Sequence, residues 1–153
     1  MDLNPYSIDA RFALAVKPFY MVAYMVKIYD GKSYYLLLRR CGKHLGGNWQ
    51  MISGGIKEGE TAWQASLREI NEENGITPDR LYSADALECF YEVSRDAIVM
   101  APAFEAFVDT PSEITLSQSE HDAFIWVTHS EALNYLEFDN QKRIISHLET
   151  NFV

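Results

Sequence analysis

Cysteine is scarce in this chain. Cys41 and Cys89 are the only two in 153 residues, and their separation matches no metal-binding spacing. A chain of this length can also build a core without disulfides, so a reducing, cytoplasmic setting is expected. Long apolar runs are missing too. The longest candidate, residues 12–26, is interrupted by Lys17 and Pro18, well short of the roughly 18–20 residues a membrane span needs. Asp2 and Asp9 occupy the region that a secretory signal would make basic. Positive charge is in deficit, with 13 Lys and Arg against 22 Asp and Glu and a net charge of −9. Such a chain repels nucleic-acid polymers and anionic membranes unless bound cations reverse the local field. Low-complexity segments, repeats and linker-like stretches are absent as well. What remains is a composition with 48% hydrophobic and 23% charged residues, which fits one soluble globular domain over residues 1–153.

The pattern along the chain alternates strand and helix signals. Residues 17–30 are aromatic and aliphatic and read as a strand. Asp30-Gly31 is a hairpin turn signal, and residues 33–39 read as the returning strand. Residues 41–48 carry three glycines and read as a loop, followed by a short extended segment, 49–53. Thr61 with Gln64 three residues on forms a capping box, and Gly75 supplies the stop, which predicts a helix over 62–74. Trp63, Leu67 and Ile70 fall on one face of that helix and are expected to be its buried side. Strand-like runs follow at 87–93, 98–108 and 123–127. An amphipathic helix over 139–150 is expected to bury Ile144, Ile145 and Leu148. This order of elements argues for an α/β sandwich.

The chemistry concentrates on the helix over 62–74. Glu69, Glu72 and Glu73 stand at i, i+3 and i+4, so their carboxylates share one face. Arg68, four residues before Glu72, is expected to offset only one of the three. An acidic face of this kind is either solvated surface or a site for hard divalent cations, which prefer carboxylate oxygen. Spacing alone leaves both open.

The flanking residues narrow the choice. Gly54, Glu60, Arg68, Glu69, Ile70, Glu72, Glu73, Gly75 and Ile76 fit, without a gap, the Nudix signature G-x5-E-x7-R-E-U-x-E-E-x-G-U, where U is aliphatic. A chance match is expected on the order of once in ten million chains of this length. The chain therefore resembles the Nudix hydrolases. Three further segments, WQMISGG (49–55), SEHDAFIWV (119–127) and FDNQKR (138–143), resemble bacterial dihydroneopterin triphosphate diphosphatases and related dATP pyrophosphohydrolases.

That resemblance implies an α/β/α sandwich with a mixed central sheet. It implies magnesium, with manganese as a substitute, held by Glu69, Glu72 and Glu73. Glu120 is implied as a further carboxylate ligand from a distal loop. Arg68 joins these glutamates in the catalytic set, orienting them through hydrogen bonds rather than touching substrate. Lys17, Arg39, Ser53 and, at the entry to the box, Gly54 match substrate-contacting positions. The implied substrate is a nucleoside or pterin triphosphate, cleaved to monophosphate and pyrophosphate by a monomer or homodimer. A dinucleoside polyphosphate or nucleotide-sugar substrate is an alternative, and a non-catalytic nucleotide-binding Nudix module is a rival of a different class.

Several residues carry two readings. Glu60 is a metal ligand or a loop brace. His121 is a proton shuttle or an exposed loop histidine, the second being the commoner case. Trp126 reads as core or pocket wall, and Trp49 as a stacking platform or a packing residue. Arg40, Lys43 and His44 read as solvated loop residues, with Arg40 able to exchange roles with Arg39. Glu137 and Asp139 either approach a base near Phe138 or, for Asp139, cap the last helix.

Overall fold

The computed structural model describes residues 19–152 and the backbone of residues 15–17. Eight strands form a mixed sheet: β1 (Ala15–Lys17), β2 (Tyr20–Tyr29), β3 (Lys32–Arg40), β4 (Trp49–Gln50), β5 (Ile52–Gly55), β6 (Arg80–Glu92), β7 (Ala97–Phe107) and β8 (His121–Val127). Among the described residues three α-helices accompany them: α1 (Ala62–Asn74), α2 (His129–Tyr135) and α3 (Asp139–Asn151). β7 runs parallel to both β1 and β2, and the remaining pairings are antiparallel.

β2 shows why helices cover both sides. Its side chains alternate between faces with period two. Val22, Tyr24 and Val26 enter one core with Ala132 of α2, Leu136 just after it, and Ile144, Ile145 and Leu148 of α3. Met21, Ala23 and Met25 enter the other with Ala65 and Ile70 of α1. A strand buried on both faces reads as an uninterrupted apolar run, and the sheet becomes the middle layer of an α/β/α sandwich. The expected fold class is the one found. Among the described residues, no helix is long and apolar enough to cross a membrane.

Some elements differ from expectation. The single strand expected over 17–30 is split into β1 and β2. β6 begins at Arg80, not at residue 87, because its pairing with β7 shifts register between Ser83 and Leu87. Asp85, at a φ of 52°, sits in that irregularity, and the bulge scrambles the alternation that marks a strand. α2 has no counterpart among the expected elements, though Thr128 and Glu131 form a complete capping box at its start. Of the two readings of Asp139, capping of α3 is not found. Phe138 holds the cap position without a side-chain bond, and Asp139 lies in the first turn, where a negative charge suits the helix dipole.

α1 spans the predicted residues, with the Thr61–Gln64 capping box formed and Gly75 left-handed at φ 74°. Its buried side is the expected one in part. Ile70 is buried and Leu67 half-buried, but Ala65, Ser66, Glu73 and Asn74 also face inward, whereas Trp63 is 49% exposed. Small residues at 65 and 66 let the helix lie close to the sheet, and this rotates Trp63 outward.

Candidate active site

α1 places its three glutamates at different depths. Glu72 is half-exposed, Glu69 is mostly covered, and Glu73 is buried at 4% exposure. The Arg68 guanidinium organises them. Its Nε and Nη2 donate to the two oxygens of Glu60, each at 2.8 Å. Its Nη1 donates to Glu69 Oε1 at 2.7 Å and to Glu72 Oε2 at 3.2 Å. Nη2 also reaches the carbonyl oxygen of Gly55 at 2.8 Å, which ties the helix to the end of β5. Arg68 therefore bonds three carboxylates, where sequence spacing suggested that it could offset one. A planar fork of donors can serve several acceptors at once.

These bonds decide the role of Glu60. Both its oxygens are occupied by Arg68, and Oε1 also accepts from the Lys57 amide at 3.1 Å. The Arg68 and Lys57 bonds hold its carboxyl down to a pKa of about 2. Glu60 is a brace for Arg68. Gly54 has a steric role, since a Cβ at this position would overlap the Glu69 carboxyl group. The glycine gives that side chain its space.

Glu73 is the electrostatic anomaly. Burial, then the negative charges of Glu120 and Glu69, push its pKa up to about 9, with Arg40 opposing. Its Oε2 has no hydrogen-bond partner among the described residues. Burial also raises Glu69, with the Arg68 hydrogen bond acting against it.

Glu120 reaches this cluster through the segment before β8. The Ser117 amide donates to the Glu73 carbonyl at 3.2 Å, and the Thr115 amide donates to the Asn74 carbonyl at 3.0 Å. The Glu120 and His121 amides both donate to the Ser117 carbonyl at 3.0 Å, and the Cys41 amide donates to the Glu120 carbonyl at 3.0 Å. As a result, Glu73, Glu120 and His121 offer ligand atoms that all lie within 4.8 Å of one another. His121 is not an exposed loop residue. It opens β8 at 3% exposure, its Nε2 lies 3.5 Å from the Gln50 side-chain amide, and burial lowers its pKa. An orphaned buried carboxylate oxygen amid further oxygen donors fits a divalent cation, whose charge offsets the repulsion that burial makes costly.

Beside the cluster lies a cavity of about 460 Å³. Arg40, His44 and Ser53 line it, while Glu88, Phe90 and Gln141 line it from β6 and α3. Arg40 links the two regions because its charge acts on both Glu73 and His121. Arg39, one residue earlier on β3, does not line the cavity. Its Nε pairs with Asp122 Oδ1 at 2.7 Å, and its guanidinium lies over the Trp49 ring. Trp49 in turn packs edge-on to Tyr135 with ring centroids 5.6 Å apart. The Lys17 side chain lies outside the described residues. Trp126 packs against the α1-side core, with the Lys27 ammonium 4.5 Å from its ring centre. Glu137 and Asp139 stay exposed outside the cavity, and Phe138, Asn140 and Gln141 line it instead. Sequence reasoning missed Glu88, Asn140 and Gln141. The signals available were a carboxylate at 88 within an aromatic strand and the FDNQKR segment, which holds Asn140 and Gln141.

The NUDIX domain family model matches residues 19–148. The chain is 33% identical over 112 residues to an octanoyltransferase of Myxococcus xanthus, covering 72% of this chain and 30% of that protein. It is 31% identical over 91 residues to Nudix hydrolase 6 of Arabidopsis thaliana, covering 58% of this chain and 31% of that protein. The matched stretch thus spans less than a third of either relative's length. The E. coli dihydroneopterin triphosphate pyrophosphohydrolase superposes with a TM-score of 0.72 over 91% of this chain and 99% of its own, at 22% identity. At that identity the likeness speaks for the fold alone. The family match covers most of the chain, and it follows that the chain belongs to the Nudix family.

Proposed function

We propose that this chain is a divalent-cation-dependent pyrophosphohydrolase that cleaves a nucleoside or pterin triphosphate to its monophosphate and pyrophosphate. The observation that carries this reading is the orphaned carboxylate of Glu73, buried beside Glu69 and Glu120 and next to a cavity with Arg40 in its wall. Glu69, Glu72, Glu73 and Glu120 would hold magnesium or manganese, and His121 offers one further donor. When bound, the metal supplies positive charge to the phosphate oxygens, which a chain of net charge −9 lacks.

The chain's own groups divide the remaining work. Arg40 and Ser53 meet the polyphosphate, with Lys17 as a further candidate from β1. Arg68 and its brace Glu60 keep the Glu69 and Glu72 carboxylates aimed, without touching substrate themselves. A glutamate of the cluster takes the proton of the attacking water, whose oxygen bonds to phosphorus as the bridging P–O bond breaks and pyrophosphate leaves. Arg39 has a supporting role through Asp122.

The test is a magnesium-dependent screen of nucleoside triphosphates, dihydroneopterin triphosphate, diadenosine polyphosphates and ADP-ribose, with products identified in oxygen-18 water. Monophosphate and pyrophosphate from a triphosphate, lost on chelation and restored by magnesium, is the expected result. Turnover that persists after chelation overturns the metal dependence. Cleavage confined to dinucleotides or ADP-ribose overturns the substrate class.

A further inference from the structure

The cavity wall carries two kinds of group. Arg40, whose charge acts on Glu73 of the carboxylate cluster, lines it together with His44. Glu88 of β6 and Gln141 of α3 line it as well, with two partly exposed phenyl rings, Phe90 and Phe138. Gln141 is only 6% exposed, yet its Oε1 has no partner among the described residues. Glu88 is largely covered, and burial raises its pKa. Arg143, whose charge opposes that rise, spends its bonds elsewhere, on the Leu87 carbonyl at 3.0 Å and Asn140 Oδ1 at 3.4 Å. A second bond from Asn140 Nδ2 to the Cys89 carbonyl, at 2.7 Å, fixes the first turn of α3 against β6. The junction of α3 and β6 is thus held by bonds to backbone carbonyls, while Glu88 and Gln141 remain available.

We infer that Glu88 and Gln141 form the specificity element for a flat heterocycle with a ring N–H next to an exocyclic amino group, as in guanine or a pterin. This rests on the triphosphate hydrolysis proposed above. An ionised carboxylate only accepts hydrogen bonds, and its two oxygens match two adjacent donors on one edge of a ring. The guanine-type edge supplies that pair, and the second hydrogen of its amino group is a donor for the unpartnered Gln141 Oε1. Adenine sets a ring-nitrogen lone pair beside its amino group, and a carboxylate facing it meets one donor and one acceptor. Uracil and thymine lack the amino group. Phe90 and Phe138 supply apolar contact for the ring faces, which any base satisfies, so discrimination falls to the polar pair.

GTP and ITP differ only in the exocyclic amino group and read this interaction directly. Wild-type kcat/KM for GTP is expected to exceed that for ITP and for ATP by at least about tenfold, because a buried acceptor left unpaired is costly. Glu88→Gln is expected to collapse the GTP-to-ITP ratio toward one by lowering the GTP value more than the ITP value, since ITP uses only one of the two carboxylate oxygens. Gln141→Leu serves as the independent variant if Glu88→Gln fails to fold by circular dichroism, and should weaken GTP with KM rising more than kcat falls. Calorimetric binding of the α,β-methylene analogues of GTP and ITP gives the same comparison without turnover. Dihydroneopterin triphosphate separates the two sources of this edge: preference for it marks a pterin substrate, preference for GTP a nucleotide one, and either supports the assignment. Equal handling of GTP, ITP and ATP overturns the assignment while leaving triphosphate hydrolysis intact. A protein that neither binds nor cleaves any of these compounds removes the triphosphate-hydrolysis reading as well.

Discussion

Two buried glutamates lie on opposite sides of the sheet and face opposite fates. Glu73 projects from α1 at 4% exposure, and Glu105 projects from β7 at 0% into the layer shared with α3. Burial is the first cause of a raised pKa in both, to about 9 for Glu73 and about 7 for Glu105. Each has carboxylate oxygen without a partner among the described residues, one atom in Glu73 and both in Glu105. The difference lies in their company. Glu73 sits among Glu69, Glu72 and Glu120, whereas the charge acting on Glu105 is that of Arg80, which lowers its pKa. An isolated buried carboxyl is relieved by one proton. A cluster of them gains more from a cation, which neutralises several at once. Burial alone therefore does not mark a site, but burial with gathered like charge does.

The largest expected effect separates the two glutamates by activity. Glu73→Gln or Glu69→Gln should lower turnover at least about 100-fold at limiting magnesium with an unchanged far-UV circular dichroism spectrum. Glu105→Gln should leave turnover within about twofold. If both sides of the sheet lose activity alike, the contrast between them is spurious.

Next comes the pH effect that Glu105 contributes. Its folded pKa of about 7 lies above the ordinary value of 4.5, so the folded state holds the proton more tightly than the unfolded one. The Glu105 contribution to stability is thus fully present below about pH 4.5, is lost as pH rises to about 7, and is then constant, with about 3 kcal/mol involved. Glu105→Gln removes this dependence. Chemical denaturation at pH 5 and pH 8 should show a smaller loss for the variant than for wild type, and equal losses would refute the assignment.

A smaller effect probes how the cluster is assembled. Glu120→Gln should reduce turnover about tenfold and raise the magnesium needed for half-maximal rate, whereas Glu113→Gln, exposed in the same segment, should change neither. Two substitutions that behave alike would remove Glu120 from the ligand set. Arg68→Lys should cost several-fold in turnover and lower the melting temperature by a few degrees, because an ammonium cannot serve Glu60, Glu69 and Glu72 together. Trp63→Ala, on the outward face of α1, should change unfolding free energy by less than about 0.5 kcal/mol. A loss of several kcal/mol there would restore the buried face expected from periodicity.

The sequence by itself determined what depends on neighbours a few residues apart. The limits of α1, its Thr61–Gln64 capping box, the Gly75 stop and the shared face of Glu69, Glu72 and Glu73 all follow from helical geometry over one or two turns. The Asp30-Gly31 turn between β2 and β3 is local in the same way. The sandwich class also follows, since strand and helix periods succeed one another along the chain. Only the tertiary structure decided the rest. Trp63 turned outward because the sheet meets α1 at Ala65 and Ile70. His121 became buried because β8 pairs with β3 and brings it against Gln50. Glu120 met Glu73 because backbone bonds from Thr115 and Ser117 clamp a distant loop to the end of α1. Glu88 and Gln141 share a cavity across a separation of 53 positions (141 − 88) because α3 is tied to β6 at Cys89 and Leu87. Each of these contacts joins residues far apart in the chain, and no periodicity in one segment records which other segment will be packed against it.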